Sequence, residues 1–476
     1  MGSTPLVVDL DGTLIRTDML HECALRALRV SPGNVLRIPL WLSRGKAVLK
    51  EHLANLVGVD PAALPYNTEL IEWLKEEKAK GRKLILCTAS DVALATTIAD
   101  HLAIFDEVMA SDGVINLAGK HKALALIERF GHSGFDYAGN SNADIEVWRC
   151  ARNAIVVNAS RSVCKAAENC CAIEREFPTR DAGIKTWLRA LRVHQWLKNL
   201  LLFVPLIAGH ELENGTAWFS LCLAFFAFSI CASAVYIAND LLDLESDRRH
   251  PRKRLRPFAS GRIPAWKGVV VAPVLLLVSA AIGSFVGNAF MSWLIIYFVV
   301  TSAYSLLLKR IILVDCLVLA LLYTLRIAAG AAAAALPLTF WLLAFSIFLF
   351  LSLAFVKRYA ELETRLKDGK HKVHGRGYYT TDAPLIQSLG IGTGISSVLV
   401  LALYMNTDAV LKFYQTPQFV WGAVFVLLFW ISWMWMKAHR GEMHDDPLVF
   451  AVKDRASQLA GLAFGMALIA GSVSWS

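Results

Sequence analysis

Long stretches without any charged residue dominate the C-terminal half of this 476-residue chain. A helix needs about 20 apolar residues to cross a bilayer, and its backbone groups must be satisfied within the helix because lipid offers no partners. The sequence therefore predicts an all-α, polytopic membrane bundle in this half. No Asp, Glu, Lys or Arg occurs at residues 217–239, 268–308, 327–356, 383–407, 413–436 and 456–476.

The number of spans follows from the lengths of these stretches. Residues 268–308 are long enough for two spans, with a break near Gly287 and Asn288. Two further apolar segments, one near residue 197 and one near residue 311, bring the prediction to nine transmembrane helices. They lie at about residues 197–212, 217–238, 267–287, 290–308, 311–331, 337–356, 385–405, 417–436 and 456–474.

Basic residues predict the orientation of the bundle. The loops after spans 2, 4, 6 and 8 are rich in Lys and Arg, whereas the opposite loops offer Lys412 alone. Cytoplasmic loops carry such an excess. We therefore expect a multi-pass inner (plasma) membrane protein with its N-terminal domain and active sites in the cytoplasm.

The charge distribution also narrows the functional class. Residues 1–185 have a net charge of −1 and residues 186–476 one of +10, so the excess positive charge lies in the apolar half. A nucleic-acid-binding protein would not combine its positive charge with long uncharged stretches. We therefore expect a membrane protein with a soluble N-terminal domain, without a nucleic-acid partner.

Acidic residues cluster where the second span ends. Asn239, Asp243 and Asp247 follow each other at intervals of four residues, and with Asp240 they fall on one stripe of a helix. Such a set of oxygen ligands suits Mg²⁺ bridged to a substrate phosphate, so we assign all four as metal ligands and Asp243 also as catalytic. The alternative is a solvated helix end balanced by the arginines that follow.

These residues resemble the signature of the UbiA-type superfamily of intramembrane prenyltransferases. The run from Arg256 to Arg262 and the segment from Arg192 to Asn199 agree with that family. The resemblance covers about residues 187–476 and implies a UbiA-like membrane transferase domain over that range.

One departure points to a particular branch. Family members usually have a second Asp-rich motif, but here Leu319 stands where the Asp after Asp315 would be. This pattern is similar to the decaprenyl-phosphate phosphoribosyltransferase branch. The resemblance implies that polyprenyl phosphate is joined to phosphoribosyl pyrophosphate (PRPP), with release of diphosphate. One strong metal site can suffice for this reaction, because the leaving diphosphate belongs to PRPP.

Phosphate groups on both substrates require cations. Arg326 lies inside a predicted span, where a charge is costly and usually functional. For the Lys and Arg residues in the loops, the alternative is that they only orient the protein in the membrane, as cytoplasmic positive charges do. The predicted substrate-binding residues of the membrane domain are Lys198, Lys253, Arg256, Tyr304, Lys309, Asp315, Arg326, Lys357, Arg358 and Tyr359.

The N-terminal half alternates strand-like and helical segments. Apolar runs at residues 5–8, 83–87 and 135–139 each end in polar side chains, and helical stretches cover about 68–81, 91–103 and 120–130. This alternation predicts a doubly wound α/β sheet with its ligands at the carboxyl ends of the strands.

The motifs at these strand ends are similar to those of the haloacid dehalogenase (HAD) phosphatase superfamily. The resemblance covers about residues 1–160, with a small helical cap at 19–67. It implies that Asp9 is the nucleophile, Asp11 the general acid and base, and that Thr88 and Lys122 (or Lys120) bind the phosphoryl group. Asp9, Asp11 and Asp144 would hold Mg²⁺. Asn140 stands where the family commonly has Asp.

The two halves together suggest a sequential reaction. The membrane domain (187–476) would make polyprenylphosphoryl-5-phosphoribose for cell-envelope glycan synthesis, and the HAD-like domain would remove the 5-phosphate; residues 161–186 are predicted to be a linker. One alternative is a UbiA-type enzyme that transfers a prenyl group from its diphosphate to an aromatic or other acceptor. Another is a membrane-tethered HAD phosphatase. Both a monomer and an oligomer are compatible with these features.

Overall fold

The computed structural model describes residues 4–31, 33–112, 116–178, 183–367, 369, 377–407, 410, 414–443 and 446–473. The predicted loop cation Lys412 lies outside these residues. The chain divides into two compact units. The first comprises Met1–Leu191 and Tyr236–Pro273, and the second comprises Arg192–Val235 and Val274–Ser476.

The first unit is built on a six-stranded sheet with the order β3-β2-β1-β4-β5-β6, in which every pair of neighbours is parallel. The predicted parallel α/β fold is therefore confirmed. Its strands are β1 (Leu6–Val8), β2 (Leu84–Asp91), β3 (Glu107–Ser111), β4 (Asp136–Gly139), β5 (Asn153–Val157) and β6 (Ala172–Phe177).

Alternate residues of the central strands face two different cores. Leu6 and Val8 pack into one apolar cluster, while Val7 packs into another. Leu86 and Ile85 divide in the same way. This period of two buries both faces of the sheet, as expected for parallel strands covered by helices.

The helices of this unit include three that were predicted from the sequence and three that fill residues 19–56, the region predicted as a helical cap. In chain order the helices are α1 (Met19–Val30), α2 (Asn34–Ser43), α3 (Lys46–Leu56), α4 (Thr68–Ala79), α5 (Val92–Leu102), α6 (Lys120–Phe130), α7 (Ile145–Trp148), α8 (Arg161–Glu168) and α9 (Ile184–Ala190).

The sheet extends further along the chain than the sequence predicted. Residues 161–177, assigned to a linker, form α8 and the edge strand β6, which pairs with β5. Charged side chains such as Glu174 and Arg175 are half-exposed or exposed on this edge. Charged edge strands are common because their charges prevent pairing with other chains. The charged composition of β6 explains why it was predicted as part of a linker.

The remaining helices belong wholly or partly to the membrane half of the chain. They are α10 (Val204–Ala208), α11 (Gly215–Leu242), α12 (Leu244–Arg249), α13 (Ala265–Val286), α14 (Asn288–Leu306), α15 (Val314–Ala333), α16 (Phe340–Lys367), α17 (Ala383–Tyr404), α18 (Pro417–His439), α19 (Pro447–Lys453) and α20 (Arg455–Ser472). Short 3₁₀ helices occupy Pro61–Ala63, Asn142–Asp144, Val193–Phe203, Lys253–Leu255, Leu308–Arg310 and Thr380–Asp382.

Seven helices among the described residues are long and apolar enough to cross a membrane, so the nine predicted spans are not confirmed. The first predicted span consists of the 3₁₀ helix Val193–Phe203 and α10, which ends before Gly209. The ninth corresponds to α20, where Ser457, Gln458 and several glycines dilute the apolar residues. The multi-pass helical architecture of the C-terminal region is confirmed.

Helix α16 continues past the predicted end of the sixth span, at residue 356, to Lys367. Lys357 and Arg358, which were predicted in the following loop, therefore lie on a helix. The residues from Tyr359 to Leu366 are mostly good helix formers, which explains why the helix continues beyond the apolar stretch.

Candidate active sites

The polar residues predicted at the sheet edge of the first unit do come together. Asp9 and Asp11 follow β1, which pairs with β2 on one side and β4 on the other. Lys122, in the first turn of α6, donates a hydrogen bond of 2.6 Å from Nζ to Asp9 Oδ1. Nζ also donates to Tyr137 Oη (2.9 Å), and this hydroxyl donates to Asp144 Oδ1 (2.7 Å). One connected network therefore joins Asp9, Lys122 and Asp144.

The loop after β4 fixes the carboxylate of Asp144. Its Oδ2 accepts hydrogen bonds from the backbone N–H groups of Asn140 (3.1 Å) and Ser141 (2.9 Å) and from the hydroxyl of Ser141 (2.8 Å). The Asn140 side chain lies against Gly12, where a Cβ would be only 2.0 Å from Asn140 Nδ2. Because Gly12 also has φ of +76°, only glycine fits at this turn.

Asp11 is held by two partners on different elements. Its Oδ1 accepts from the backbone N–H of Met19 (2.7 Å), and its Oδ2 accepts from the Ser90 hydroxyl (2.7 Å). Thr88, predicted to bind phosphate, is completely buried, and its hydroxyl accepts from the backbone N–H of Ser90. Of the Thr88 and Ser90 hydroxyls on β2, that of Ser90 therefore contacts Asp11 directly.

Burial and mutual repulsion alter the protonation of these carboxylates. Burial, reinforced by Asp144 and Asp11, raises the pKa of Asp9 to about 7 even though Lys122 opposes the shift. Burial and the charge of Asp18 raise the pKa of Asp11 to about 6. A group with a pKa near neutrality can both give and take a proton under physiological conditions, as a general acid and base must.

A cavity of about 420 Å³ opens above these residues. This volume lies within the usual range for small-ligand pockets. Asp9, Asp11, Lys122 and Asp144 line it, together with Lys50 from α3 and Asn140. Lys50 was not predicted from the sequence, because only the three-dimensional fold brings it to the cavity. Its Nζ donates to the carbonyl of Ala89 (2.6 Å).

The chemistry of this donor set fits Mg²⁺. No three His, Cys, Asp or Glu side chains within the described ranges are close enough to form a complete metal shell. Mg²⁺ is usually bound by only one or two carboxylates, with water and substrate phosphate supplying the other ligands. Asp9 and Asp144 are the two carboxylates of the connected network and could supply these ligands.

The Asp-rich segment also belongs to the first unit. One continuous helix was predicted here, but the helix is interrupted at Asp243, which lies between α11 and α12. Asp240 and Asp247 are buried and both accept from Nη1 of Arg256, at 3.1 and 2.6 Å. A single cation therefore already bridges two of the predicted ligands, an arrangement that also suits a divalent ion.

The other members of this motif face elsewhere. An Asp243 oxygen lies 3.9 Å from Nη2 of Arg29 on α1. Asn239 is half-buried, and its carbonyl accepts from the Asp243 backbone N–H. Lys253 lies 4.0 Å from Asp247. Asp243 thus has a different cationic neighbour from Asp240 and Asp247, because the helix breaks at Asp243.

In the second unit, two predicted phosphate-binding lysines share one carboxylate. Lys198 and Lys357 donate from Nζ to Asp446 Oδ2, at 2.8 and 2.9 Å. The hydroxyl of Tyr323 donates to Asp446 Oδ1 (2.9 Å). Burial alone would raise the pKa of Asp446, but Lys357 and Lys198 hold it well below its usual range. Asp446 was not predicted from the sequence, because it resembles an ordinary helix cap before Pro447.

Arg326 lies near Asp446 and the two lysines, because it packs against the ring of Tyr323, whose hydroxyl donates to Asp446. It is buried, donates from Nε to Asn199 Oδ1 (2.8 Å) and from Nη2 to Tyr297 Oη (3.2 Å). The guanidinium carbon lies 5.0 Å from the centre of the Tyr297 ring and 5.7 Å from that of Tyr323. Polar and aromatic neighbours thus stabilise a charge inside the bundle.

Two further predicted residues pair with each other. The side chains of Asp315 and Arg358 are completely buried and form a salt bridge. Asp315 Oδ1 also accepts from Tyr378 Oη (2.5 Å), and Arg358 pairs with Glu361 as well. A buried pair of this kind stabilises packing only as long as both partners are present.

The remaining predicted residues occupy separate environments. Tyr359 is buried, and its hydroxyl hydrogen-bonds to His439 Nδ1 (2.9 Å). Tyr304 and Lys309 are half-buried near the end of α14. The described contacts bring Lys198, Lys357 and Arg326 into one neighbourhood, defined here as the Asp446 cluster together with Tyr323 and Asp446.

Comparison with known proteins identifies relatives along almost the whole chain. An uncharacterised protein, y4nM, from Sinorhizobium fredii (strain NBRC 101917 / NGR234) is 37% identical over 98% of this chain and 90% of its own length. A decaprenyl-phosphate phosphoribosyltransferase from Mycobacterium tuberculosis (strain CDC 1551 / Oshkosh) is 32% identical over 58% of this chain and 91% of its own.

The membrane region also matches a solved structure and a family model. A UbiA homologue from Archaeoglobus fulgidus bound to GPP and Mg²⁺ covers 60% of this chain and 98% of its own, with 16% identity and a TM-score of 0.45. The model of the UbiA prenyltransferase family matches residues 201–446. The chain therefore belongs to the UbiA prenyltransferase family.

Proposed function

We propose that this protein is a Mg²⁺-dependent polyprenyl-phosphate phosphoribosyltransferase with a second, phosphatase activity in its N-terminal domain. The membrane domain would join polyprenyl phosphate to PRPP, release diphosphate and give polyprenylphosphoryl-5-phosphoribose. The HAD-like domain would then remove the 5-phosphate. Both steps would take place on the cytoplasmic side and supply cell-envelope glycan synthesis.

The observation that carries the transferase proposal is the buried pair of Asp315 and Arg358. The usual second Asp-rich motif has two acidic residues, and Leu319 replaces one of them in this chain. The remaining acid, Asp315, is neutralised by Arg358 and accepts from Tyr378. This arrangement favours one metal site over two, as expected when the diphosphate leaves from PRPP rather than from the lipid.

The first unit supplies candidate ligands for that single metal ion. Asp240 and Asp247 would hold Mg²⁺ together with the diphosphate of PRPP. Mg²⁺ would stabilise the negative charge that develops on the departing diphosphate. Arg256, which bridges Asp240 and Asp247, could turn to a phosphate oxygen when the carboxylates bind the ion.

The Asp446 cluster is suited to an anionic group. Two ammonium groups share one carboxylate there, and Arg326 adds a third positive charge. This excess of positive charge would bind the lipid phosphate or the sugar 5-phosphate. Asp446 would keep the two lysines close together before the substrate arrives, so that less reorganisation is required on binding.

For the phosphatase step, the residues around Asp9 suggest a division of labour. Lys122 holds Asp9 Oδ1, while Thr13 makes a longer contact of 3.5 Å to Oδ2. Oδ2 would attack phosphorus, and the ester oxygen would leave with a proton from Asp11. Water would then hydrolyse the aspartyl phosphate as Asp11 takes back a proton. Mg²⁺ would neutralise the charge of the phosphoryl oxygens.

The transferase can be tested with purified full-length protein in nanodiscs, supplied with PRPP labelled in the ribose, polyprenyl phosphate and Mg²⁺. We expect label in the lipid fraction with the wild type, and at least about 100-fold less with Asp247→Asn. Asp100→Asn, an exposed aspartate on α5, is the matched control. Equal labelling by Asp247→Asn and the control would refute the role of this motif.

The main alternative is transfer of a prenyl group from its diphosphate to an aromatic or other acceptor, and the name of the UbiA prenyltransferase family favours prenyl transfer. The same assay, given a prenyl diphosphate and 4-hydroxybenzoate instead, would then yield a prenylated acid. The third possibility, a tethered phosphatase, predicts that Asp247→Asn leaves every measured activity unchanged.

A further inference from the structure

The cavity above Asp9 has one wall that does not come from the sheet or from the helices at residues 19–56. Pro264, Ala265 and Trp266 line it together with Asp9, Asp11 and Lys122. These three residues lie at the start of α13 (Ala265–Val286), one of the seven candidate membrane spans. The cavity that holds Asp9 and Asp11 therefore adjoins the start of a candidate membrane span.

The segment that carries this wall is fitted tightly to the N-terminal part of the unit. Gly261 has φ of +70°, and a Cβ added there would lie 2.7 Å from Arg16 Cβ and 2.9 Å from the Arg16 carbonyl oxygen. Arg16 itself lines the cavity. Such a close backbone approach needs glycine and positions the following residues, up to Trp266, at the cavity.

A buried ion pair fixes the same segment from the other side. Arg248 donates from Nη1 and Nη2 to the two oxygens of Glu22 on α1, at 3.0 and 2.7 Å, and from Nε to the carbonyl of Ala259 (2.9 Å). The side chains of Arg248 and Glu22 are only 8% and 10% exposed. Glu22 also accepts from Thr17, which lines the cavity. A bidentate pair has a defined geometry and therefore holds the segment in one position.

Trp266 has the character of a recognition residue. It is 47% exposed although it lines the cavity, and it stands in the first turn of an apolar helix. Tryptophan favours the level of the lipid headgroups, where its ring meets apolar material and its N–H remains solvated. A sugar bound over the indole ring could keep its lipid tail in the membrane and present its phosphate to Asp9.

We propose that the start of α13 is the substrate-selecting wall of the phosphatase cavity, with Trp266 as the specificity-determining residue for phosphosugars carried by a membrane lipid. The proposal rests on the phosphatase activity proposed above and names its class of substrate: a phosphomonoester on a sugar whose other end is linked to a lipid phosphate. A soluble phosphomonoester would reach the same reacting groups without using this wall.

The test compares two substrates in full-length protein reconstituted in nanodiscs with Mg²⁺. One is synthetic polyprenylphosphoryl-5-phosphoribose in the bilayer, and the other is ribose 5-phosphate in solution. For Trp266→Ala we expect kcat/KM for the lipid substrate to fall at least about 10-fold more than for the soluble one, the size expected when one pocket contact is lost. Trp266→Phe should recover most of this preference.

A second variant and a control test the position of the wall, and the ratio of the two substrates is measured within each protein so that a loss of folded enzyme affects both equally. Arg248→Met detaches the wall without changing a residue of the cavity and should reduce the preference in the same direction. Trp421→Ala, on α18 and 42% exposed, is the matched control and should retain the wild-type ratio.

Two results would overturn the proposal. If Trp266→Ala and Arg248→Met keep the wild-type ratio while Asp9→Asn is inactive on both substrates, the phosphatase stands and the selecting wall does not. If the wild type releases no more phosphate than Asp9→Asn from either substrate, the proposed phosphatase fails, and this inference fails with it.

Discussion

The two charged sites of this protein balance their charges in opposite ways. Around Asp9 several carboxylates crowd together, and burial with mutual repulsion raises the pKa of Asp9 to about 7 and that of Asp11 to about 6. In the Asp446 cluster two lysines share one carboxylate, whose pKa lies well below its usual range. Carboxylates therefore predominate at the first site, whereas cations predominate at the second.

This difference explains how one chain could handle phosphate in two ways. Carboxylates that compete for a cation suit a site where a carboxylate must attack phosphorus and another must transfer a proton. Ammonium groups in excess suit a site that binds a phosphate without attacking it. These charge distributions suit phosphate hydrolysis at the first site and anion binding at the second.

The largest expected effect tests the carboxylate-rich site. Asp9→Asn removes the proposed nucleophile, and we expect phosphate release to fall at least about 1,000-fold while phosphoribosyl transfer continues. Measurement of inorganic phosphate and of the lipid product in the same reaction separates the two activities. If Asp9→Asn retained more than a tenth of the phosphate release, Asp9 would not be the nucleophile.

The next effect concerns the buried pair of Asp315 and Arg358, which belongs to neither the carboxylate-rich site nor the Asp446 cluster. Arg358→Met leaves Asp315 buried without its guanidinium partner and should lower the free energy of unfolding by about 3–5 kcal/mol. The double variant Asp315→Leu, Arg358→Met should recover most of this loss, because the carboxylate is removed as well. Thermal unfolding in nanodiscs measures both.

The double variant also distinguishes packing from metal binding. If Asp315 serves only the ion pair, the folded double variant should need the same Mg²⁺ concentration for transfer as the wild type. A large increase in that concentration would make Asp315 a metal ligand and would contradict the single-site account.

A third prediction tests the cation-rich site. Asp446→Asn removes the charge that holds Lys198 and Lys357 together, so the lysines should separate and transfer to lipid should fall about 100-fold. Asp454→Asn, which removes a helix-capping carboxylate between α19 and α20, is the matched control. Unchanged transfer by Asp446→Asn would show that the cluster only stabilises the fold.

The smallest effect is expected from a residue at the rim of the carboxylate-rich site. Lys50→Met should lower kcat/KM for phosphate release about 5- to 10-fold, because a cation lining the cavity is lost while Lys122 remains. Lys78→Met, whose ammonium pairs with Asp106, is the control. A loss as large as that of Asp9→Asn would assign Lys50 a direct part in the reaction.

The sequence predicted the carboxylate-rich site far better than the cation-rich one. Asp9 and Asp11 directly follow a buried strand, and the edge of a parallel sheet brings such residues together with those after β4. The helices 68–79, 92–102 and 120–130 were also close to the prediction. These features could be predicted because they depend on residues that are close together in the sequence.

The cation-rich site depends on contacts that are distant in sequence. Asp446 lies 248 residues from Lys198, and no local pattern connects them. The break at Asp243 was missed because the spacing of the acidic residues is fully compatible with a continuous helix. The wall formed by Pro264, Ala265 and Trp266 was missed as well, since no local pattern connects these residues with Asp9 and Asp11.

One substrate matrix tests most directly the central claim, that this protein transfers phosphoribose to a lipid and then removes the 5-phosphate. Purified full-length protein with Mg²⁺ would be given PRPP or 4-hydroxybenzoate, each with a polyprenyl phosphate or diphosphate, and all lipids would be identified by mass spectrometry. We predict polyprenylphosphoryl-ribose and inorganic phosphate from PRPP with the lipid monophosphate, and the 5-phosphorylated lipid when Asp9 is replaced by Asn. Product from prenyl diphosphate and 4-hydroxybenzoate, with PRPP left intact, would contradict the account.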